Sequence, residues 1–342
     1  MSPLRIGVRI PPCERVDRLL DTVRLAERYG FDEAWFPDSQ LLWRDVYCAL
    51  TAVALGTDRI GLGTAVTNVV TRHPAVVASA ARTVAEIAPG RFTLGLGIGD
   101  SSVAPLGMRA SSRAELTAGI AQLRALLEGQ EWPYAEGLRS RLRDPAPQVP
   151  IHLAASGPRN LALAGEAADG VILLSGASTR TVTAAIARVD AGARAAHRPL
   201  GEFAVTVSAY CHVTHDVPAA ARQLKPICAR IAQNGGAPFL ALAGIELDVP
   251  PRIEGVYPDL VHAEDWDRAV ELCSPYVSDA AALRFAQEFC LFGTPAQILD
   301  RLAEVRSAGA TGVFLQHVGS YTLPDELIEA VGAHVLPGMV TP

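Results

Sequence analysis

The chain has 342 residues, of which 49% are hydrophobic and 19% are charged, so a large core is expected and extensive disorder is excluded. Thirty basic residues against 36 acidic ones give a net charge of -6 without any basic run, which excludes a typical nucleic-acid-binding surface. No apolar run reaches membrane-spanning length and no apolar leader follows the N-terminus, so we expect a soluble, cytoplasmic protein with no membrane partner.

Apolar runs of strand length recur along the chain and alternate with segments of helical period. The runs lie at 4–10, 33–36, 59–66, 91–98, 150–155, 170–175, 203–213 and 312–318. Continuous apolar strands separated by helices predict a parallel sheet covered on its outer face, and eight such units predict a (β/α)8 TIM barrel. A doubly wound sheet is the alternative, but the first turn, IPPCERV, has no glycine for a phosphate-binding motif.

Two segments interrupt the strand and helix alternation. Residues 129–149 are rich in Pro and Arg, and residues 235–277 break any period with Pro and Gly. We predict that both are insertions in one domain that spans residues 1–342 and that they shape the substrate pocket. The six cysteines form no C-x-x-C pair, so neither a metal site nor a disulfide framework is indicated.

Small and polar residues follow several of the predicted strands. In a barrel the chemistry lies at the carboxyl ends of the strands, so these residues are the candidates for an active site. They are Asp38 after the second strand, Thr67, Asn68, Thr71, Arg72 and His73 after the third, Gly99 and Asp100 after the fourth, and Ser156 and Ser175 after the fifth and sixth.

The glycines at the end of the fourth strand permit two interpretations. Gly95, Gly97 and Gly99 have the spacing G-x-G-x-G with no helix directly after them, so a dinucleotide-binding motif is excluded. The glycines serve either tight backbone packing or the close approach of a cofactor, and the sequence does not separate these two roles.

Two consecutive strands end in Ser-Gly before a helix. Ser156, Gly157 and Pro158 have the pattern of a helix N-cap, and the segment from Ser175 to Thr179 repeats it after the next strand. Free N–H groups at a helix start serve both capping and anion binding, so the pair predicts one site for an anionic group.

The segments VTNVVTRHPAVVASAARTVAEIAPGRFTLGLGIGDS (66–101) and PIHLAASGPRNLALAGEAADGVILLSGAS (150–178) resemble the bacterial luciferase-like superfamily. Within it, they are similar to the methylenetetrahydromethanopterin reductase-like group. The resemblance implies a (β/α)8 barrel, usually dimeric, that uses the deazaflavin F420 or, in other branches, FMN. It also implies that the third strand ends in a bulge with a cis peptide at Ala65–Val66, which backs the cofactor ring.

The resemblance further implies which residues surround the cofactor. Asp38, Thr67 and Asn68 are expected near the deazaflavin head, and Gly99 along its approach. The phosphate is expected on Ser156, Gly157 and Pro158 and on Gly176, Ala177 and Ser178. Two positions depart from the pattern of the group: Ser39 stands where many members have His, and Arg9 stands where the archaeal reductases have Glu.

The predicted function is hydride transfer between C5 of F420 and a small organic substrate. Asp100, His73 and His317 are the candidates for handling the proton, in that order. Arg9 is the candidate for substrate binding, because strand alternation turns it into the barrel, where we expect an ion pair with Asp100 that holds an acidic group. The alternatives are an FMN-dependent monooxygenase and a barrel that binds the cofactor without turnover.

Overall fold

The computed structural model describes residues 3–144 and 148–339, so residues 145–147 of the first predicted insertion lie outside it. The strands of the described residues are β1 (Arg5–Arg9), β2 (Glu33–Phe36), β3 (Gly61–Thr64), β4 (Thr67–Asn68), β5 (Phe92–Gly97), β6 (Trp132–Ala135), β7 (Leu138–Ser140), β8 (Ile151–Ala155), β9 (Gly170–Leu173), β10 (Ala204–Val213), β11 (Leu291–Gly293) and β12 (Gly312–Gln316).

Eight of these strands close into a parallel barrel. Their order around the wall is β1-β2-β3-β5-β8-β9-β10-β12, and β12 pairs again with β1. Each predicted strand coincides with one barrel strand, so the (β/α)8 fold is confirmed and the doubly wound sheet is excluded. The prediction succeeded because a parallel strand covered by helices is buried on both faces and reads as an unbroken apolar run.

Helices cover the barrel and extend beyond it. They are α1 (Val16–Tyr29), α2 (Val46–Leu55), α3 (Pro74–Ile87), α4 (Arg113–Leu127), α5 (Pro158–Ala167), α6 (Thr179–Ala195), α7 (Val217–Ala221), α8 (Lys225–Gln233), α9 (Ala237–Ala241), α10 (Trp266–Cys273), α11 (Asp279–Phe289), α12 (Pro295–Ser307), α13 (Asp325–His334) and α14 (Leu336–Met339). As predicted, Gly30 ends α1 in the left-handed conformation, with φ of 89°.

The two predicted insertions contain different structures. The first holds the exposed hairpin of β6 and β7, and the second holds α9, α10 and irregular chain. Helices α8, α9 and α11 pack with this second segment around their own apolar cluster, which includes Leu224, Ile245 and Phe289. That both segments are insertions in a single domain stays a prediction. Among the described helices, none combines the length and the apolar character needed to cross a membrane.

A layer of large side chains fills the middle of the barrel. Trp35 is 1% exposed and packs with Ala154, Ile172 and Phe314, with its ring 5.7 Å from that of Phe314. The indole fits because the strands on both sides carry glycine: a Cβ on Gly63 would lie 2.4 Å from it. The layer therefore separates the carboxyl-end mouth from the amino end of the barrel.

Candidate active site

The third strand ends in a bulge at the mouth of the barrel. Gly63 is opposite Thr93 and Thr67 is opposite Leu96. The third strand therefore advances four positions while β5 advances three, so it contains one extra residue. The peptide bond Ala65–Val66 within the bulge is cis, as expected. Both of its residues pack on the layer that contains Trp35.

Thr64 fastens the bulge to the neighbouring strand. Its buried hydroxyl donates to the carbonyl of Gly95 at 2.7 Å and accepts from the N–H of Gly95 at 2.9 Å. A Cβ on Gly95 would lie 2.0 Å from the Thr64 carbonyl oxygen, and one on Gly97 would lie 2.6 Å from Val66. Tight backbone packing is therefore the role of these two glycines.

Asp38 is the centre of a buried ion pair beside the bulge. Its carboxylate accepts two hydrogen bonds from Arg72, at 2.8 and 3.0 Å, and one from the hydroxyl of Thr67 at 2.7 Å. Arg72 also pairs with Asp45 at 2.7 Å and stacks on the ring of Tyr47. Burial lowers the pKa of Arg72, but the hydrogen bonds and charges of the two carboxylates outweigh this and raise it. The arrangement holds the ends of β2 and β4 together.

A second set of hydrogen bonds joins the loops that follow β2 and β5. Asn68 is 1% exposed and donates to the hydroxyl of Ser102 at 3.0 Å, while its side-chain oxygen accepts from the N–H groups of Val70 and Thr71. The hydroxyls of Ser39 and Ser101 are 2.7 Å apart. These contacts preorganise the rim of the mouth.

The turn after β5 places Gly99 and Asp100 at the rim. Gly99 has φ of 80°, and a Cβ there would lie 2.9 Å from Val103, so this position favours glycine for two reasons. The predicted ion pair between Arg9 and Asp100 was wrong. Asp100 has a side chain that is 66% exposed and pairs instead with Arg230 of α8, at 3.5 Å.

Arg9 points into the mouth, as the strand alternation predicted. Its guanidinium lies over the indole of Trp43, 5.2 Å from the ring centre. Burial lowers the pKa of Arg9, and the neighbouring Tyr210 and Cys13 raise it. Arg9 makes no ion pair with any described residue.

The two candidate histidines have different surroundings. The exposed His73 caps α3, since its Nδ1 accepts from the N–H of Ala75 at 3.2 Å, and its ring stacks on Tyr134 of the β6–β7 hairpin. His317 follows β12, lines a recess of about 730 Å³ and contacts Thr322 at 3.2 Å. Burial and the charge of Arg9 lower the pKa of His317 to about 4. A direct catalytic role for either histidine stays a prediction.

The N-termini of α5 and α6 differ. At α5, Ser156, Gly157 and Pro158 are exposed, and the side chains make no capping bond. At α6, the hydroxyl of Ser178 donates to Glu288 at 2.9 Å, and the N–H of Ala177 donates to the carbonyl of Phe289 at 2.9 Å. The geometry favours α5 as the anion site, because at α6 the Ser178 hydroxyl and the Ala177 N–H are engaged and the Glu288 carboxylate lies beside them.

Gly176 and Ser175 complete the second turn. Gly176 has φ of 72°, and a Cβ there would lie 2.7 Å from the backbone oxygen of Phe289, so this glycine is required by the fold itself. The Ser175 hydroxyl is buried without a hydrogen-bond partner among the described residues. An unsatisfied buried hydroxyl calls for a ligand or a water.

The comparisons with known proteins agree with this geometry. The luciferase-like monooxygenase family matches residues 1–312. The chain belongs to this family. A 5,10-methylenetetrahydromethanopterin reductase of Methanolobus tindarius is 30% identical over 317 residues, which cover 91% of this chain and 93% of that protein.

Two further members of the family illustrate the range of relatives. An F420-dependent glucose-6-phosphate dehydrogenase of Beutenbergia cavernae is 35% identical over 223 residues, which cover 58% of this chain and 66% of that protein. The structure of the coenzyme F420-dependent tetrahydromethanopterin reductase of Methanopyrus kandleri has a TM-score of 0.77 at 24% identity, and the match covers 99% of this chain and 100% of that one. The fold of this luciferase-like chain is thus shared over its whole length.

Sequence reasoning missed several residues of the luciferase-like site. Arg72 was noted as a polar residue but its pairing with Asp38 was not foreseen, and Trp35 was counted only as part of a strand. Gly7 and Gly63 lie on the two strands that flank β2, and this pair of glycines was a signal that a large ring of β2 lies between them. The carboxylate of Glu288 in α11 lies at the start of α6. No sequence pattern indicated this contact, because Glu288 lies 110 residues from Ser178.

Proposed function

We propose that this luciferase-like protein is an F420-dependent oxidoreductase that transfers hydride between the deazaflavin C5 and a small organic substrate. The observation that carries the proposal is the bulge at the end of the third strand, which packs on Trp35 at the mouth of a barrel whose relatives are named for F420-dependent reactions. When bound, the cofactor supplies the hydride chemistry, and the protein supplies binding, orientation and the exclusion of water.

The residues at the mouth fit such a cofactor. The buried Ser175 hydroxyl lacks a partner, and the first turn of α5 beside it is open, as an anionic tail requires. We propose that Ser156, Gly157 and Pro158 bind the phosphate through this turn and that Gly176, Ala177 and Ser178 shape the adjacent wall. Around the ring we propose the following residues: Asp38, Ala65, Val66, Thr67, Asn68 and Gly99.

Asp38 and Asn68 act chiefly as positioning residues in this proposal. Both are almost fully buried, and their side chains are engaged with Arg72, Thr67 and Ser102. For the proton, we propose Asp100 first, because it stands at the carboxyl end of a barrel strand with an accessible carboxylate. His73 and His317 are the further candidates.

An FMN-dependent monooxygenase is the second candidate, and the description of the family favours it. Titration of the purified protein with F420 and with FMN, followed by absorbance, separates the two. We expect F420 to bind at least tenfold more tightly, and tighter binding of FMN would contradict the proposal. Reduction of bound F420 by one member of a substrate panel would then exclude a barrel that binds without turnover.

We also propose that the protein is a cytoplasmic homodimer. The support is its likeness to the family, whose members in the reductase-like group resemble it over most of their length. Light scattering coupled to size-exclusion chromatography should give about twice the 36.1 kDa mass of the chain. A monomer at micromolar concentration would contradict this part of the proposal.

A further inference from the structure

Arg9 is a half-buried cation at the mouth of the barrel and has no anionic partner among the described residues. No carboxylate among the described residues lies within ion-pair distance of its guanidinium, which lies over the face of Trp43. Partial removal of a cation from water is unfavourable unless an anion compensates it, and a cation–π contact offsets only part of that penalty. The free protein therefore holds an uncompensated positive charge in its mouth.

The polar neighbours of Arg9 do not supply the missing negative charge. Burial raises the pKa of Tyr210 to about 12 and that of Cys13 to about 11, so both groups are protonated near neutral pH. His317 is also near enough for its pKa to be lowered by Arg9, and it is neutral at the same pH. The Nδ1 atom of His317 is buried without a hydrogen-bond partner. All three neighbours are thus uncharged.

The position of Arg9 separates it from the anion site at α5. Arg9 ends β1, whereas α5 follows β8, and these two strands are diametrically opposite in the eight-stranded order. An anionic group held by Arg9 is therefore on the far side of the mouth from the cap proposed for the cofactor phosphate. A second anion, carried by another molecule, fits this arrangement better than the cofactor tail.

We infer that the substrate of this enzyme carries an anionic oxygen group, a carboxylate or a phosphate, that binds the guanidinium of Arg9 across the mouth from the cofactor phosphate. This inference rests on the proposed function, since it assigns the second ligand of the same site. A guanidinium presents a planar fork of N–H donors that matches either group. The charge also excludes simple neutral alcohols as preferred substrates, because they would leave Arg9 uncompensated.

Calorimetric titration with simple anions tests this assignment. The probes are propanoate and inorganic phosphate, with the neutral propanamide as the matched control, added to the protein with and without F420 in low salt. We expect saturable binding of at least one anion and none of propanamide. Arg9→Gln should weaken the anion at least tenfold, Arg9→Lys should weaken it less, and the exposed Arg252→Gln should leave it unchanged.

The outcomes separate this inference from the proposed function. Equal anion affinity in the wild type and in Arg9→Gln, or the absence of saturable binding, would overturn the inference. Displacement of the anion by F420 would assign Arg9 to the cofactor and would overturn it as well. If F420 does not bind at all, the proposed function fails, while titration of the cofactor-free protein still decides the anion site.

The stability of Arg9→Met provides an independent measurement that needs no ligand. Replacement of an uncompensated cation by an apolar side chain of similar length should leave the midpoint of thermal unfolding unchanged or raise it. A purely structural role for Arg9 predicts a marked fall instead. The anion that binds in the titration should raise the midpoint of the wild type by more than it raises that of Arg9→Met.

Discussion

The carboxylate of Asp38 shows how much one residue contributes to the shape of the mouth. Its side chain is 2% exposed, and it joins the end of β2 to Thr67 and Arg72. In a setting with so little water, the removal of one partner leaves the other charge without compensation. The two carboxylates that pair with Arg72 differ in exposure and so permit a controlled comparison.

We predict that Asp38→Asn lowers the free energy of unfolding by about 3 kcal/mol, because it breaks a buried pair and leaves Arg72 poorly compensated. Asp45→Asn is the matched control, since Asp45 pairs with the same arginine but is 43% exposed. Asp45→Asn should lower the free energy of unfolding by less than about 1 kcal/mol. Urea denaturation measures both, and equal losses would show that burial does not govern this pair.

His152 faces the amino end of the barrel and determines part of the pH dependence of stability. It is 8% exposed, its Nδ1 has no partner among the described residues, and burial lowers its pKa to about 4 from the ordinary value of 6.5. The folded protein therefore resists protonation that the unfolded chain accepts. His152 does not lower the free energy of unfolding above about pH 6.5, and it lowers that free energy increasingly as the pH falls toward 4.

We predict that His152→Gln reduces the loss of stability between pH 7 and pH 4.5 by about 2 kcal/mol relative to the wild type. The difference between the two unfolding profiles isolates this residue from other groups that titrate in the same range. His197, which is exposed, provides the control substitution His197→Gln. Parallel profiles for wild type and His152→Gln would contradict the assignment.

At the scale of elements, the attachment of the bulge to β5 depends on one hydroxyl. Thr64 satisfies both the N–H and the carbonyl of Gly95. We predict that Thr64→Val lowers the free energy of unfolding by about 2 kcal/mol, because two buried backbone groups lose their partner. F420 affinity should fall as well, since the bulge is then less firmly held.

The control for this change is Thr83→Val. Its hydroxyl bonds to the carbonyl of Ser79 on an exposed part of α3, where water replaces the lost bond. The free energy of unfolding should change by less than about 0.5 kcal/mol. If both variants unfold at the same urea concentration as the wild type, the hydrogen bonds between Thr64 and Gly95 do not contribute measurably to stability.

The elements themselves were predictable to different degrees. Apolar runs predicted all eight barrel strands, because burial on both faces leaves few polar positions in them. The predicted ion pair between Arg9 and Asp100 was wrong, because strand alternation fixes the side to which a residue points but not which groups lie within its reach. Asp100 pairs with Arg230 of α8, which lies 130 positions later in the sequence, and no local sequence pattern indicates such a contact. The cis bond followed only from the resemblance to a family.

At the scale of the whole molecule, the barrel and the helical cluster beyond it share side chains. The ring of Phe289 at the end of α11 stacks on Phe239 of α9 at 4.1 Å, and the Phe289 carbonyl accepts from Ala177 of the barrel. We therefore predict one cooperative thermal transition, with equal calorimetric and van't Hoff enthalpies.

The variant Phe239→Ala tests this cooperativity. Loss of the stacked ring should lower the midpoint of the single transition, and the peak should not split. The comparison variant Tyr257→Ala removes an exposed ring and should leave the midpoint unchanged. Two separate peaks, of which only one moves, would show that the cluster unfolds as an independent domain.

The layer around Trp35 also determines the route by which small molecules enter and leave the site. A recess of about 970 Å³ opens at the amino end of the barrel, and Trp35 forms part of its inner wall. The bulge packs on the other side of the same residue, so Trp35 lies between this recess and the mouth. We therefore expect a reaction product to leave through the same mouth by which the substrate enters. A product that dissociates slowly would therefore block the next turnover, and its inhibition should be competitive with the substrate.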